Sequence, residues 1–348
     1  MKKIAFALAT TLLALFSALA LAEWTLRART RSITAESMLE PGLFQYDPAL
    51  GWRLAPYWKG THRHRDYAAH YATDGRGFRR DPTRDVPPAG QSCLVFGDSF
   101  TFGFGVGDED TFVQKLNTSP TTVRCVNLAV PGFSTDQEVL LLEQTLPDYE
   151  AVAVLLVVYL GNDLIDNERP FPIQVPDAKP YFALTPTGLE LRNSPVPREK
   201  KSALDPGFDL LETTGASPLL LRMGRFSIAR PLAERMLASG DLSKRLGSTC
   251  ASSLDLFDAL VRRAREACAA QDAELHLVLM PGRSLVEEPA SLSAKYQDHV
   301  RREIVRRQRG VIDLYEGLKG RKGLYYPNDG HLTRAGHEAV AEILFAQP

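Results

Sequence analysis

From residue 93 onward, short apolar runs alternate with amphipathic ones. Cys93 to Phe96, Val123 to Val130, Ala151 to Tyr159, Leu275 to Met280 and Val311 to Tyr315 read as strands. The run Ala151 to Tyr159 is almost wholly apolar, the pattern of a strand buried on both faces. Between these runs the spacing predicts helices over about Thr111 to Asn117, Asp136 to Leu146 and Ser291 to Arg307, and a closing helix over about Arg334 to Phe345. Another helix places Leu254, Phe257, Val261, Ala264 and Cys268 on one face. Strands alternating with helices predict an α/β domain with a central parallel sheet of about five strands.

The alternation is interrupted once. Pro170, Pro172, Pro176, Pro180, Pro186, Pro195, Pro197 and Pro206 exclude a continuous element, Phe182 to Leu191 reads as a hairpin, and two or three short helices are expected up to about Ser243. Residues 165–248 are therefore an insertion on the core of residues 92–348. Following the third strand, it is expected at the mouth of any site built on the strand ends.

Ahead of the core, residues 32–91 carry strand-like runs at Leu50 to Leu54 and Tyr67 to Thr73, punctuated by Gly75, Gly77 and Pro82. His62, His64 and His70 raise a metal reading, but the segment has no Cys and few carboxylates. A solvated β-segment is expected, with Gly103, Gly105 and Gly107 further on forming a mobile loop. Residues 1–31 hold Lys2 and Lys3 before an apolar run from Ile4 to Ala22. That is the pattern of a signal anchor or a signal peptide, and the run matches the roughly 20 residues that span a bilayer. Arg27, Arg29 and Arg31 follow it, so charge bias does not fix topology. The expectation is a catalytic part outside the cytoplasm, periplasmic in a Gram-negative source and tied to the inner membrane by one N-terminal helix.

The 348 residues carry a formal net charge of -1. That argues against a nucleic-acid partner. Cys93, Cys125, Cys250 and Cys268 show no C-x-x-C spacing. Cys250 and Cys268 would sit about 27 Å apart along one helix, too far for a disulfide, whereas Cys93 and Cys125 fall on strands expected to be neighbours.

Candidate chemistry lies at the strand ends. Gly97-Asp98-Ser99-Phe100-Thr101 follows the first core strand, Val130-Pro131-Gly132 the second and Leu160-Gly161-Asn162-Asp163 the third. Asp329-Gly330-His331-Leu332 comes just before the last helix. A serine hydroxyl needs a histidine to take its proton and a carboxylate to orient that histidine. The order of these four blocks resembles the SGNH (GDSL-type) hydrolase superfamily. The resemblance covers about residues 92–163 and 272–345, outside the N-terminal segment and the insertion. It implies a flavodoxin-like three-layer sandwich, with Ser99 as nucleophile and His331 as base oriented by Asp329. It also implies an oxyanion hole of the Ser99 and Gly132 backbone N–H groups and the Asn162 side chain.

The sequence departs from the usual pattern in one respect. Such enzymes place the acid three residues before the histidine, where this chain has Asn328. Members linked to polysaccharide acetylation show Asp-x-His, as here. His337 is a weaker candidate base. No metal or organic cofactor is implied. The expected function is an exported serine esterase or O-acyltransferase acting on acyl, first of all acetyl, esters of envelope carbohydrate. Two alternatives are a lipid or lysophospholipid esterase and a catalytically idle module of the same type that binds glycan or scaffolds an envelope assembly.

Overall fold

The computed structural model describes residues 2–35, 37–83, 90–118, 123–201 and 242–347, with shorter stretches between 210 and 239. Twelve strands are described: β1 Met38–Leu39, β2 Phe44–Asp47, β3 Gly51–Leu54, β4 Lys59–His64, β5 Tyr67–Ala72, β6 Gln91–Phe96, β7 Arg124–Asn127, β8 Glu150–Tyr159, β9 Tyr181–Thr185, β10 Gly188–Arg192, β11 Glu274–Met280 and β12 Val311–Asp313. Five of them form one parallel sheet in the order β12-β11-β8-β6-β7. These are the five core strands expected from the sequence. The second is shorter than its apolar run, because the ladder gives way after Asn127 to the loop that carries Gly132.

Side chains alternate across this sheet and build two apolar layers. Leu94, Phe96, Val154, Leu156, Leu277 and Leu279 face one side, where the helices Thr135–Thr145, Ala251–Ala269 and Leu292–Arg307 pack. Val95, Leu155, Val157, Val278 and Met280 face the other, against the helices Phe112–Leu116 and Arg334–Phe345. The fold is a three-layer α/β sandwich of the flavodoxin-like type.

Register aligns Cys93 with Cys125 on β6 and β7. All four thiols are free, and Cys250 caps the start of the helix that Cys268 nearly ends. The arginines of the helix Leu292–Arg307 are paired. Arg301 meets Asp298 and Asp313, Arg306 meets Glu303, and Arg307 meets Asp255 and Asp258. Within the insertion, β9 and β10 form the expected hairpin and the helices Pro218–Gly224, Arg230–Ser239 and Leu242–Thr249 follow. Residues 202–209, Pro206 among them, lie outside the described residues.

The N-terminal segment corrects the expectation of a solvated strand. β1, β4 and β5 form an antiparallel sheet in the order β1-β4-β5. Tyr67, Ala69 and Tyr71 face inward, alternating with exposed Ala68 and His70. His62 is only 4% exposed. The inward face packs on the loops at the C-terminal edge of the large sheet, where Tyr71 meets Gly105 and Tyr67 meets Asp329.

The helix Lys2–Ala35 precedes this segment. Several side chains of its first turns lie outside the described residues, and among the described ones no helix is long and apolar enough to cross a membrane.

Candidate active site

Parallel strands deliver their C-terminal ends to one edge of a sheet. β6 ends at Phe96, and Gly97 and Asp98 turn the chain into the short helix Ser99–Phe102. A Cβ on Gly97 would come within 2.3 Å of Thr101 Oγ1, so the tight turn needs glycine. Asp98 caps the helix, its Oδ1 accepting from Phe100 N at 2.8 Å. Ser99, at the first position, has a backbone N–H that the helix cannot satisfy. After β7, Gly132 sits at φ +83°, and a Cβ there would meet Val175 Cγ2 at 2.5 Å. Neither the Ser99 nor the Gly132 N–H has an acceptor among the described residues. After β8 comes Asn162, whose Nδ2 donates to Asp166 Oδ2 at 2.6 Å. An amide nitrogen carries two hydrogens, so one remains for a ligand.

The loop before the last helix closes the site. Ser99 Oγ lies 2.7 Å from His331 Nε2, and His331 Nδ1 lies 2.5 Å from Asp329 Oδ1. Asp329 Oδ1 also accepts the His331 backbone N–H at 3.1 Å. Its other oxygen accepts from the Tyr67 hydroxyl at 3.0 Å. Burial alone would raise the Asp329 carboxyl. The hydrogen bond and charge of His331, the His331 N–H and the Tyr67 hydroxyl outweigh burial and hold it at about 2.

Asn328 does not reach the ring. Its backbone N–H and side-chain amide donate to Asp66 at 2.8 and 2.6 Å, and Asp66 also accepts the Asp329 N–H at 3.0 Å. Asp66 thus fixes the loop, and Asp329 is the carboxylate on the histidine. His337 is fully buried away from the serine, with Nδ1 accepting from Phe112 N at 3.1 Å. Burial lowers its ring to about 3.

Gly103 and Gly105 do not form the expected mobile loop. Gly103 ends the Ser99 helix in a left-handed conformation. Gly105 N donates to Tyr71 Oη at 2.8 Å, and Gly105 O accepts from Tyr326 Oη at 3.0 Å.

Two cavities meet at His331. One, of about 670 Å³, is lined by Ser99, Gly132, His331, Trp52, Phe104 and Val175 among others. Pro176, Ala178 and Pro197 of the insertion form part of its wall. The second, of about 640 Å³, is more polar and is lined by Asn162, Asp329, His331, Arg283, Gln297 and Asn328 among others. Ser99 and Gly132 therefore share a cavity, whereas Asn162 opens into the neighbouring one. Among the described residues no three His, Cys, Asp or Glu side chains are grouped to hold a metal.

Solved structures similar to this fold include lipolytic G-D-S-L hydrolases. A member of the lipolytic G-D-S-L family from Veillonella parvula is 13% identical, covering 74% of this chain and 97% of that one, with a TM-score of 0.37. A lipase from a goat-rumen metagenome is 17% identical over 74% and 97%, with a TM-score of 0.41. An extracellular lipase from Streptomyces rimosus is 15% identical over 74% and 100%, with a TM-score of 0.37. At these values the likeness carries no functional weight. No protein-family model and no curated protein matches the chain.

Below the site lies a layer of buried acids. Asp98, Asp136, Glu138, Asp163 and Asp166 are all nearly inaccessible, and Asp136 is paired with the equally buried Lys179. Burial pushes the Asp98 carboxyl up to about 6. The unfolded carboxyl ionises from about 3.9, so this raised value gives stability that is greatest below that pH and declines toward pH 6. Asp98→Asn keeps a capping oxygen and removes the titration. Urea denaturation should show the variant gaining on the wild type as pH rises from about 4 to about 7. A pH-independent gap would contradict this.

Proposed function

We propose that this protein is a serine esterase or O-acyltransferase working through an acyl-Ser99 intermediate. The reading is carried by the unbroken contact chain Ser99–His331–Asp329, with steps of 2.7 and 2.5 Å. His331 Nε2 takes the hydroxyl proton as Ser99 Oγ attacks the ester carbonyl. Asp329 offsets the charge that forms on the ring. The Ser99 and Gly132 N–H groups stabilise the oxyanion from within the Ser99 cavity, and Asn162 Nδ2, which opens into the neighbouring cavity, is the third donor of this reading. His331 then returns the proton to the departing alcohol, and water or a sugar hydroxyl releases the acyl group by the reverse steps.

A fluorophosphonate probe should label Ser99 covalently, with the label found on its peptide by mass spectrometry. No labelling of a folded sample would favour the idle, glycan-binding reading. On the substrate, the Ser99 cavity is far larger than an acetyl group. Its apolar walls at Trp52, Phe104 and Val175 favour a longer acyl chain and so the lipid-ester reading. The polar cavity beside Asn162 suits the alcohol part of an acetylated carbohydrate. Rates on p-nitrophenyl esters of rising chain length separate the two, with an optimum at acetyl supporting the carbohydrate ester.

We further propose that the globular part lies outside the cytoplasm on an N-terminal anchor. Phe6, Leu12, Leu13, Leu15, Phe16, Leu19 and Leu21 are all exposed around the helix Lys2–Ala35. An apolar surface of this kind is covered in the cell by lipid or by another apolar partner. The full chain should sediment with membranes, and a chain starting near Ser32 should stay in solution and keep its activity. Recovery of mature protein beginning at Glu23 would replace the anchor with a cleaved signal.

A further inference from the structure

The wall of the Ser99 cavity holds a second serine and histidine that the proposed reaction does not use. Ser37 Oγ lies 2.8 Å from His62 Nε2, and both residues line that cavity. The rings of His62 and His331 flank the same Phe104 ring, with centroids 5.0 and 5.5 Å from it.

The hydrogen-bond directions follow from the partners. Tyr67 has a carboxylate acceptor in Asp329 at 3.0 Å, against 3.5 Å to His62 Nδ1, so its proton goes to Asp329. Tyr71 Oη accepts the Gly105 N–H at 2.8 Å and has its own proton left for His62 Nδ1 at 3.0 Å. With Nδ1 accepting, the neutral imidazole carries its hydrogen on Nε2 and donates it to Ser37 Oγ. Burial, the largest cause, lowers the His62 ring to about 4, so it stays neutral in the physiological range. His62 is thus a donor and no second base. The Ser37 hydroxyl, whose oxygen already accepts, turns a polarised O–H outward. Ser37 is exposed, at the entrance of a cavity whose other walls are largely apolar.

We propose that Ser37 and His62 form a polar subsite of the Ser99 cavity that binds an oxygen substituent, hydroxyl or carbonyl, on the ester substrate. It rests on the esterase reading for the identity of the ligand. The oxygen belongs either to a hydroxylated acyl chain or to the sugar of an acetylated carbohydrate. Fixed by Tyr71 to the loop after Ser99, the pair favours an oxygenated chain by one hydrogen bond that a purely hydrocarbon chain cannot make.

Calorimetric binding to the Ser99→Ala protein, whose turnover is lowered by on the order of 10⁴-fold or more, reads the subsite apart from catalysis. Two matched pairs serve as probes: hydroxyacyl against plain acyl p-nitrophenyl esters, with the hydroxyl moved along the chain, and acetylated methyl glucosides against alkyl acetates. One pair should show a preference of about tenfold for the oxygenated member, the worth of one hydrogen bond, and adding Ser37→Ala should abolish it. The pair that responds names the source of the oxygen. A lack of preference in both pairs, or a preference that survives Ser37→Ala, would overturn the subsite. Turnover of the same esters by the wild type separately tests the esterase reading.

Discussion

Ser99→Ala should fold like the wild type and lose ester turnover by on the order of 10⁴- to 10⁶-fold. The expectation follows from what the substitution leaves. The side chain is nearly buried at a helix start whose cap is Asp98, so alanine fits without new strain. The Gly132 and Asn162 donors and both cavities stay in place, and a residual rate of roughly 10³-fold over water should persist. Circular dichroism and kcat/KM on a p-nitrophenyl ester give the two readings. Near-wild-type turnover with an unchanged substrate profile would show that another residue carries the acyl group.

Asp329→Asn should be the next most damaging change to the triad, and far more damaging than Asn328→Ala. An amide can hold the imidazole but cannot offset its charge, and the matching change in a Ser–His–Asp protease costs about 10⁴-fold. Asn328 touches Asp66 and not the ring, so its loss acts only through the loop. With its value held at about 2, Asp329 stays ionised across the working range. The sign for stability follows. The folded value is depressed, so the contribution is complete above the unfolded value of about 3.9 and is lost as pH falls through about 2. Tyr67→Phe removes one donor from the carboxylate, so Asp329 should become easier to protonate and the acid limb of the pH–rate profile should move to higher pH. If Asp329→Asn is almost silent while His331→Ala is severe, the site is a Ser–His dyad and the carboxylate only positions the loop.

The parts legible in the sequence are those whose signal is local. An apolar run such as Ala151 to Tyr159 can only be a buried strand, and the residues just past three such runs must gather at one edge. That logic reaches Ser99, Gly132 and Asn162. The last helix announces itself by period, which fixes where the His331 loop ends. Sequence reading cannot reach contacts between an antiparallel segment and a distant loop. Tyr67, Ala69 and Tyr71 show the alternation of a half-buried strand, but nothing in that pattern says which surface they cover. Tyr67 and Asp66, which hold Asp329 and its loop, were therefore invisible, and His62 read as solvated. Gly105 read as mobile for the same reason, since its restraints come from Tyr71 and Tyr326, far away along the chain.

The distance in sequence between the reacting partners has a consequence for how activity arises. The Ser99–His331 contact spans 232 positions, and Tyr67 reaches Asp329 across 262. Contacts that close such long loops form late in folding, because their entropy cost comes before any reward. A chain still emerging from a ribosome can form the Ser99 turn long before it owns His331. On the proposed function, activity then appears in one step at the end of folding, and a chain that lacks the His331 loop has none. Recovery of activity after denaturation should accordingly lag behind recovery of helical signal.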